Sequence, residues 1–341
     1  MAFMMENSYT LVTGATGLIG AHVVDNLLRK GHRVRIVARS PEKAASFLKA
    51  RAEYKDELDV FFIQDLTDEG TFDGAVKDVT GVIHIASPLN YTVTNNEQAL
   101  IIPAIQGVRS ILRASKNTNI KRIVLTSSFG AVLDMSRPEE EPYTYSSADW
   151  NPITYAEAAF PTASAQDAYR GSKTFAEQEA WKFIREEKPS FDLVTLCPSM
   201  VFGPLAKDPT SADELNESNK NLWKIMSGSS SDALPPCRFN FWIDVRDLAE
   251  VHVAALFNEE AGGKRYLPIS KEPFTYQGAS EVIQGEYPEL KRKIPHGEQD
   301  IKTHVGVDFA DMERDFPDVV ENYTRFENTV KDLAGQLKEF L

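Results

Sequence analysis

The stretch Gly14-Ala-Thr-Gly-Leu-Ile-Gly20 decides the fold of the first part of this chain, because of the residues on either side of it. The short apolar run Tyr9–Thr13 stands directly before it and indicates a buried strand. A helical pattern follows and ends at Gly31, and a second apolar run, Arg33–Ala38, comes next. The order strand, glycine turn, helix, strand is the context in which such glycines are informative.

The three glycines of this turn have different tasks. Gly14 permits a sharp change of direction, Gly17 lets the backbone approach a pyrophosphate, and Gly20 lets the helix pack closely on the strand. The start of the helix then offers unpaired N–H groups and a partial positive charge to that anion. The pattern predicts a dinucleotide site, and an ordinary structural glycine turn is the alternative.

The residue after the second strand indicates which dinucleotide is bound. An NAD site generally has an acidic residue there that binds the ribose 2′-hydroxyl, whereas this chain has Arg39. Ser40 is suited to cap a helix with Pro41 at its first position, which would turn Arg39 and Lys43 toward a 2′-phosphate. We therefore predict NADPH as the cofactor, with two solvated surface cations as the alternative.

Apolar runs alternate with helical patterns further along the chain, and residues 59–63, 81–85 and 123–125 are three more predicted strands. This alternation predicts a parallel, doubly wound α/β sheet of the Rossmann type. Ligands of such sheets bind beyond the carboxyl ends of the strands. The residues that directly follow predicted strands are therefore expected on one rim, and they are Gly14, Arg39, Asp65, Ser87 and Ser128.

Ser128, Tyr169 and Lys173 are the candidate catalytic residues. Tyr169 and Lys173 stand four residues apart in a helical pattern, so they project from one helix face. Ser128 stands at the end of a predicted strand. A hydroxyl, a phenol and a cation that meet can polarise a carbonyl and deliver a proton to it. The alternative is a tyrosine and a lysine on a partly exposed helix.

Composition and charge exclude several other classes of protein. A chain of 341 residues forms one large α/β unit or two smaller domains. Its net charge of −13 argues against a nucleic-acid surface or an anionic membrane as partner. The two cysteines, Cys197 and Cys237, give neither a disulfide framework nor metal-ligand spacing, so no metal is predicted. The start lacks a signal-peptide pattern, and a cytoplasmic location is expected.

The alternation of strands and helices ends near Pro198. We predict an NADP-binding domain of residues 8–197 and 238–262, and a smaller, discontinuous substrate-binding lobe of residues 198–237 and 263–341. In that lobe Ser211-x-x-Glu214 predicts a capping box that opens a helix. The acidic, Pro- and Tyr-rich segment 134–167 is predicted to be functional or partly structured.

These motifs together resemble an extended short-chain dehydrogenase/reductase. The resemblance rests on residues 13–20, on Leu125-Thr-Ser-Ser128, on Tyr169-x-x-x-Lys173 and on Cys197-Pro-Ser-Met-Val-Phe-Gly-Pro204. Within that superfamily the chain is similar to the dihydroflavonol-reductase-like branch, and most of all to fungal NADPH-dependent methylglyoxal, aldehyde and ketone reductases. Residues 125–135, 149–152 and 175–181 carry that closer likeness.

The resemblance implies a role for each catalytic residue. Tyr169 would donate a proton to the carbonyl oxygen, Ser128 would hydrogen-bond that oxygen, and Lys173 would lower the pKa of the phenol and bind the nicotinamide ribose. Ser127 stays open as a contributor beside Ser128. The predicted cofactor-binding residues are Gly14, Thr16, Gly17, Leu18, Ile19, Arg39, Lys43, Asp65, Leu66, Ala86, Ser87, Thr126, Tyr169, Lys173, Pro198 and Val201. Leu89, Phe129 and Met200 are the predicted apolar wall of the substrate pocket.

The expected function is an NADPH-dependent carbonyl reductase that acts on aldehydes, ketones, α-dicarbonyls or ketoesters. A nucleotide-sugar epimerase or dehydratase of the same fold is one alternative, and a non-catalytic NADP-binding redox sensor is another. The sequence leaves open which carbonyl is the natural substrate, which face is attacked, and whether the protein is a monomer or a homodimer.

Overall fold

The computed structural model describes residues 8–87, 95–138, 141–237, 239–299, 301 and 304–341. Within these residues seven parallel strands form one sheet in the order β10-β7-β5-β4-β1-β2-β3. The strands along the chain are β1 (Tyr9–Thr13), β2 (Arg33–Ala38), β3 (Leu58–Phe62), β4 (Gly81–His84), β5 (Arg122–Thr126), β6 (Tyr143–Tyr145), β7 (Asp192–Leu196), β8 (Met200–Phe202), β9 (Trp242–Asp244), β10 (Arg265–Tyr266) and β11 (Val305–Val307). The predicted Rossmann-type sheet is confirmed.

Helices cover both faces of this sheet. The helices of the described chain are α1 (Leu18–Arg29), α2 (Pro41–Lys49), α3 (Ile102–Ser115), α4 (Tyr155–Ala159), α5 (Ala165–Glu187), α6 (Glu217–Ser227), α7 (Val245–Phe257), α8 (Tyr276–Glu286), α9 (Ala310–Asp315), α10 (Pro317–Glu321) and α11 (Phe326–Leu337). A π-helical turn, Glu97–Ile101, leads into α3. Helices α1 and α7 pack together on one face, and α3 and α5 on the other.

Alternation along the strands divides the core into two layers. Val12 faces the layer beneath α1 and α7 with Leu27 and Leu256, and its neighbour Leu11 faces the opposite layer with Ile111 and Phe183. Successive side chains of a strand point to opposite faces of a sheet. Both faces are therefore apolar, which explains why these strands are continuous apolar runs rather than alternating ones.

The strand order reverses direction at β1, which lies between β4 and β2. The chain runs outward from β1 to β3, then returns to β4 on the other side of β1 and continues outward through β5 and β7. This arrangement leaves a crevice above the carboxyl ends of β1 and β4, where ligands of doubly wound folds bind. The glycine turn after β1 and the small residues after β4 meet at this point.

A second apolar cluster lies outside the main sheet. Phe202, Trp242, Phe274, Tyr276 and Phe326 form its aromatic centre, around the two-stranded sheet of β8 and β9. Edge-to-face contacts join these rings, with ring centroids 5.0 Å apart for Phe202 and Phe274 and 4.9 Å for Trp242 and Phe326. The cluster holds α6, α8 and α11 together although they are distant in sequence.

The predicted division into two domains stays a prediction, and some elements cross its boundaries. Strand β10 pairs with β7 in the large sheet although it lies beyond residue 262. Strand β9 pairs with β8, outside that sheet, although residues 242–244 were assigned to the cofactor domain. The predicted capping box at Ser211 is wrong: Ser211 caps only the 3-10 turn Ala212–Glu214, and Asn216 caps α6 by accepting from Asn219 N.

The segment 134–167 is partly structured where it is described. Strand β6 pairs in parallel with β11, and α4 begins at a capping box in which Thr154 and Glu157 satisfy each other's backbone N–H. Ser164 then caps α5 by accepting from Asp167 N. The cap at Ser164 therefore sets where α5, the helix that carries Tyr169, begins.

Candidate active site

One cavity of about 1430 Å³ runs along the carboxyl ends of the strands and is bounded on its other side by β8, α6 and α8. Ordinary small-molecule sites have volumes of roughly 300–1,000 Å³, so the cavity can hold a dinucleotide and a second, smaller molecule together. Its lining includes most of the predicted site: Gly14, Thr16, Gly17, Leu18, Ile19, Arg39, Asp65, Leu66, Ala86, Ser87, Thr126, Ser128, Phe129, Tyr169, Lys173, Pro198, Met200 and Val201. Lys43 lies outside this lining, and Leu89 lies outside the described residues.

The glycine turn is shaped as a cradle at the start of α1. Gly14 has a φ of +70°, and a Cβ there would lie 2.8 Å from the backbone N of Ala86. A Cβ at Gly20 would lie 2.2 Å from Gly14 O. Gly17 donates its N–H to Gly14 O (3.0 Å) and precedes α1, which no side chain in the described chain caps. The first N–H groups of α1 are thus available to a pyrophosphate, and the residues fit a dinucleotide.

The two predicted cations after β2 lie in different places. Arg39 is exposed and lines the cavity next to the glycine turn. Ser40 caps α2 by accepting from Lys43 N (3.3 Å), with Pro41 at the first helical position as predicted. Lys43 is one turn into α2, exposed and away from the cavity lining. The role of Arg39 toward a 2′-phosphate fits this geometry better than that of Lys43.

Asp65 lies at the cavity edge after β3, but its carboxylate has local partners. Oδ1 accepts from Thr67 N (2.8 Å) and from Thr67 Oγ1 (2.7 Å). These hydrogen bonds stabilise the charged form and hold the pKa of Asp65 below its usual value. The carboxylate therefore fixes the turn after β3, and its predicted role in cofactor binding stays a prediction.

Ser128, Tyr169 and Lys173 converge in the middle of the cavity. The Ser128 hydroxyl lies close enough to the Tyr169 phenol to lower its pKa, and Ser128 Oγ accepts from Gly130 N (3.0 Å). A Cβ at Gly130 would lie 3.2 Å from Ser128 Oγ and 3.7 Å from Tyr169 Cε1. Lys173 Nζ donates to Thr126 O (3.4 Å) at the end of β5. The glycine thus gives room for the serine and the phenol to meet.

Burial opposes the charged forms of both titratable residues. It raises the pKa of Tyr169, and the hydrogen bond from Ser128 acts in the opposite direction. Burial also lowers the pKa of Lys173 to about 8, against the raising effects of Cys197 and Glu177. Near neutral pH Tyr169 is therefore a protonated phenol able to donate, while Lys173 is mainly cationic and loses its charge at mildly alkaline pH.

Ser127 and Ser128 have different partners although they are adjacent. Ser127 Oγ donates to Glu177 Oε2 at 2.6 Å. Ser128 Oγ instead lies on the side of Gly130 and the Tyr169 ring. Successive residues in extended backbone point to opposite sides, so only one of the two hydroxyls reaches the phenol. The geometry favours Ser128.

The wall opposite the sheet is formed by residues of β8, α6 and α8. Met200 lines the cavity and its Sδ accepts from Ser218 Oγ (3.9 Å). Phe129 also lines it, but most of its ring packs edge-on against Tyr145 and Phe241, with centroids 5.6 and 5.4 Å away. Sequence reasoning missed the polar part of this wall, formed by Asn216, Ser218, Asn221, Lys224 and Tyr276.

No local sequence pattern indicates these residues. They lie on α6 and α8 or cap α6, and the packing of the aromatic cluster brings those helices to the cavity. Glu177 was also missed. A pattern that points to it does exist, because Tyr169, Lys173 and Glu177 follow one another at intervals of four on a helix face.

A family model described as the NAD dependent epimerase/dehydratase family matches residues 10–267. The chain belongs to this family of extended short-chain dehydrogenases/reductases. An uncharacterized oxidoreductase of Schizosaccharomyces pombe is 41% identical over 286 residues, which are 83% of this chain and 84% of that protein. The NADPH-dependent methylglyoxal reductase GRE2 of Saccharomyces cerevisiae is 35% identical over 295 residues, 84% of each chain.

The structure is also similar to a solved one. The crystal structure of yeast methylglyoxal/isovaleraldehyde reductase Gre2 complexed with NADPH superposes with a TM-score of 0.89 and 31% sequence identity, covering 97% of this chain and 98% of that one. The family resemblance stated from the motifs is thereby confirmed.

The described part of the chain has neither a membrane-spanning helix nor a metal-binding cluster. No helix there has both the length and the apolar character needed to cross a membrane. The same residues contain no group of three or more His, Cys, Asp or Glu side chains arranged to hold a metal ion.

Proposed function

We propose that this protein is an NADPH-dependent carbonyl reductase that converts an aldehyde, ketone, α-dicarbonyl or ketoester into an alcohol. Its family and its relatives identify it as an NADPH-dependent oxidoreductase. The observation that carries the proposal is the convergence of Ser128, Tyr169 and Lys173 in the lining of the cavity that also contains the glycine turn.

NADPH supplies a hydride, and the protein's part is to hold its two ends. The cradle of Gly14 and Gly17 and the start of α1 would bind the pyrophosphate, and Arg39 would pair with the 2′-phosphate. The side chains at the carboxyl ends of β5 and β7 would surround the nicotinamide end, with Lys173 near the ribose. This arrangement directs the reacting carbon toward Ser128 and Tyr169.

Tyr169 and Ser128 would act on the carbonyl oxygen. Both hydroxyls can donate to that oxygen and so stabilise the negative charge that develops on it as the carbon is reduced. Tyr169 then transfers its phenolic proton to the oxygen, which leaves a phenolate and gives an alcohol. Because burial raises the pKa of Tyr169, the phenolate needs a nearby positive charge, and Lys173 in its cationic form supplies it.

Purified protein should consume NADPH in the presence of carbonyl compounds and form one alcohol for each NADPH oxidised. A panel of methylglyoxal, isovaleraldehyde, a ketoester and a simple ketone tests the substrate classes that the proposal names. NADH offered in place of NADPH should give a higher KM. Substrates with a second carbonyl are of particular interest, since a yeast relative is named a methylglyoxal reductase.

The same assay separates the two alternatives. Conversion of a nucleotide sugar without net consumption of NADPH would identify an epimerase. Tight NADPH binding with no turnover of any carbonyl would instead favour a redox sensor. Either result would refute the proposal that this protein is a carbonyl reductase.

A further inference from the structure

We propose that Glu177 is a positioning residue for the chemistry of this site: it keeps Lys173 cationic and fixes the end of β5 that carries the two serines. The proposal rests on the proposed function, because it concerns the same catalytic residues. Glu177 lies one helical turn beyond Lys173 on α5, on the side of the cavity floor. It does not touch the reacting atoms and would act through its neighbours.

Glu177 is 1% exposed, yet its carboxylate has a full set of partners. Oε1 accepts from Arg265 Nε (2.8 Å) and from Trp181 Nε1 (3.4 Å). Oε2 accepts from Ser127 Oγ (2.6 Å), Arg265 Nη2 (3.1 Å) and Cys197 Sγ (3.5 Å). A buried carboxylate stays ionised only if it is paired and hydrogen-bonded in this way.

These partners come from four separate elements, which the carboxylate joins at one point. Ser127 follows β5, Cys197 follows β7, Arg265 belongs to β10, and Trp181 lies one turn further along α5. The strands that carry the site and the helix that carries Tyr169 are thus tied together directly below it. Such a tie fixes the register of α5 on the sheet, on which the contact between Ser128 and Tyr169 depends.

Arg265 extends this tie to the loops beside the cavity. It is 8% exposed and donates through Nη1 to Ser147 O (3.2 Å) and Asp149 O, and through Nη2 to Ala131 O (3.2 Å). Its guanidinium lies 3.9 Å from the ring centre of Trp150. The planar fork of an arginine suits this combination of carboxylate, carbonyls and an aromatic face. The segment after Ser128 is therefore held by the same ion pair.

The charges around Lys173 explain why a carboxylate is needed there. Thr126 O accepts from its ammonium, while burial acts against the charge. The pKa of His84 is lowered to about 3 by burial and by Lys173, so that imidazole is neutral. Burial also raises the pKa of Cys197 far above neutral pH, which keeps it a thiol. Glu177 is then the anion that favours the ammonium, with Arg265 on its far side.

A purely structural ion pair would stabilise the fold without affecting the ionisation of Lys173. A structural role and a role in keeping Lys173 cationic therefore predict different pH dependences of the activity. Lys173 is cationic below its pKa and loses its charge as the pH rises through it, so activity that needs the cation falls on the alkaline side. Removing the charge of Glu177 lowers the pKa of Lys173 further and moves that fall to lower pH.

The test compares Glu177→Gln with Glu179→Gln in the full-length protein. Glu179 lies on the same helix but is partly buried against Arg109 (2.8 Å), outside the cavity lining, so its variant controls for the loss of an α5 carboxylate. In Glu177→Gln the alkaline limb of kcat/KM should move down by about one pH unit, and it should stay in place in Glu179→Gln. An unmoved limb in a folded Glu177→Gln variant would overturn the proposal.

Glu177→Asp keeps the charge but withdraws it by one methylene. It should give a smaller shift of the limb in the same direction, and it decides the question if Glu177→Gln does not fold, because an unmoved limb in Glu177→Asp overturns the proposal equally.

A second measurement does not depend on turnover. Competitive acetylation of cofactor-free protein over a range of pH, followed by peptide mass spectrometry, reports the pKa of Lys173 directly. That pKa should be lower in Glu177→Gln than in the wild-type protein and unchanged in Glu179→Gln. If the wild-type protein reduces no carbonyl, the proposed function fails, while this labelling still decides whether Glu177 controls Lys173.

Discussion

The rim of the main sheet and the wall on the other side of the cavity face each other, but they are built in different ways. Each rim residue follows a strand directly, so its position depends on its own few neighbours along the chain. The wall residues lie on α6, on α8 and in the segment near residue 237, and they meet only because the aromatic cluster around Phe202 holds those elements together.

Because of this difference, we expect the rim and the wall to respond differently to amino-acid substitution. A rim position is fixed by hydrogen bonds within a parallel sheet, which leave little freedom for the atoms that bind a cofactor. A wall position depends on side-chain packing between helices that are distant in sequence. We therefore expect substitutions on the rim to affect cofactor binding and the chemical step strongly, and substitutions on the wall to change substrate preference moderately.

The largest effect is expected from Tyr169→Phe. It removes the proton donor and leaves the ring in place, so kcat should fall by about 10²–10⁴-fold, the usual contribution of general acid–base catalysis. The Kd for NADPH, measured by fluorescence titration, should change little. Tyr155→Phe is the matched control, because the Tyr155 phenol donates to Glu97 (2.9 Å) outside the cavity lining. Near-normal turnover by Tyr169→Phe would show that another group delivers the proton.

Gly14→Ala is expected to have the next largest effect. It places a Cβ in a left-handed conformation, which costs about 1–2 kcal/mol, and drives it against Ala86 N. We expect the Kd for NADPH to rise by at least about tenfold and the melting temperature to fall. Gly263→Ala is the matched control: its φ is +74°, but nothing lies within 4 Å of the added Cβ. It should lower the melting temperature without changing the Kd. Equal effects on the Kd would contradict a cofactor cradle at Gly14.

The same contrast explains how much of the molecule the sequence predicts. The strands β1 and β2, the glycine turn, the cap at Ser40 and the pair Tyr169 and Lys173 all follow from local patterns. The approach of Ser128 to Tyr169 does not, because residues that follow β5 and residues of α5 have to be packed against each other. The choice between Ser127 and Ser128 likewise depends on Glu177, whose carboxylate accepts from Ser127.

Other features escaped prediction for related physical reasons. The wrong prediction at Ser211 shows that the residue types of a capping box can also occur where the serine caps a short 3-10 turn and no α-helix begins. The sequence did not indicate the polar residues of the wall, because a polar helix face has the same composition whether it faces solvent or a cavity. The placement of β10 in the large sheet depends on its pairing with β7, which no property of a two-residue strand indicates.

Arg39→Gln should have a smaller and more selective effect than the changes at Tyr169 and Gly14. Losing charge-assisted hydrogen bonds to a 2′-phosphate should raise the KM for NADPH by roughly tenfold or more, while the KM for NADH should stay close to its wild-type value. Lys43→Gln is the comparison within the same turn, and we expect little change because Lys43 lies outside the cavity lining. A larger loss in Lys43→Gln than in Arg39→Gln would reverse the assignment of the phosphate site.

The smallest effect is expected from Met200→Ala on the wall. Met200 is half-buried and packs against the aromatic cluster, so the truncation widens the cavity without removing a group that touches the cofactor. The KM for bulky ketones should fall and that for small aldehydes should rise, each by less than about tenfold, or roughly 1.4 kcal/mol. The KM for NADPH should not change. Met135→Ala removes a similarly half-buried methionine outside the cavity and should leave all of these constants unchanged. If Met200→Ala instead impaired every substrate equally through the KM for NADPH, the wall would belong to the cofactor site, and the contrast between rim and lobe would not hold at this position.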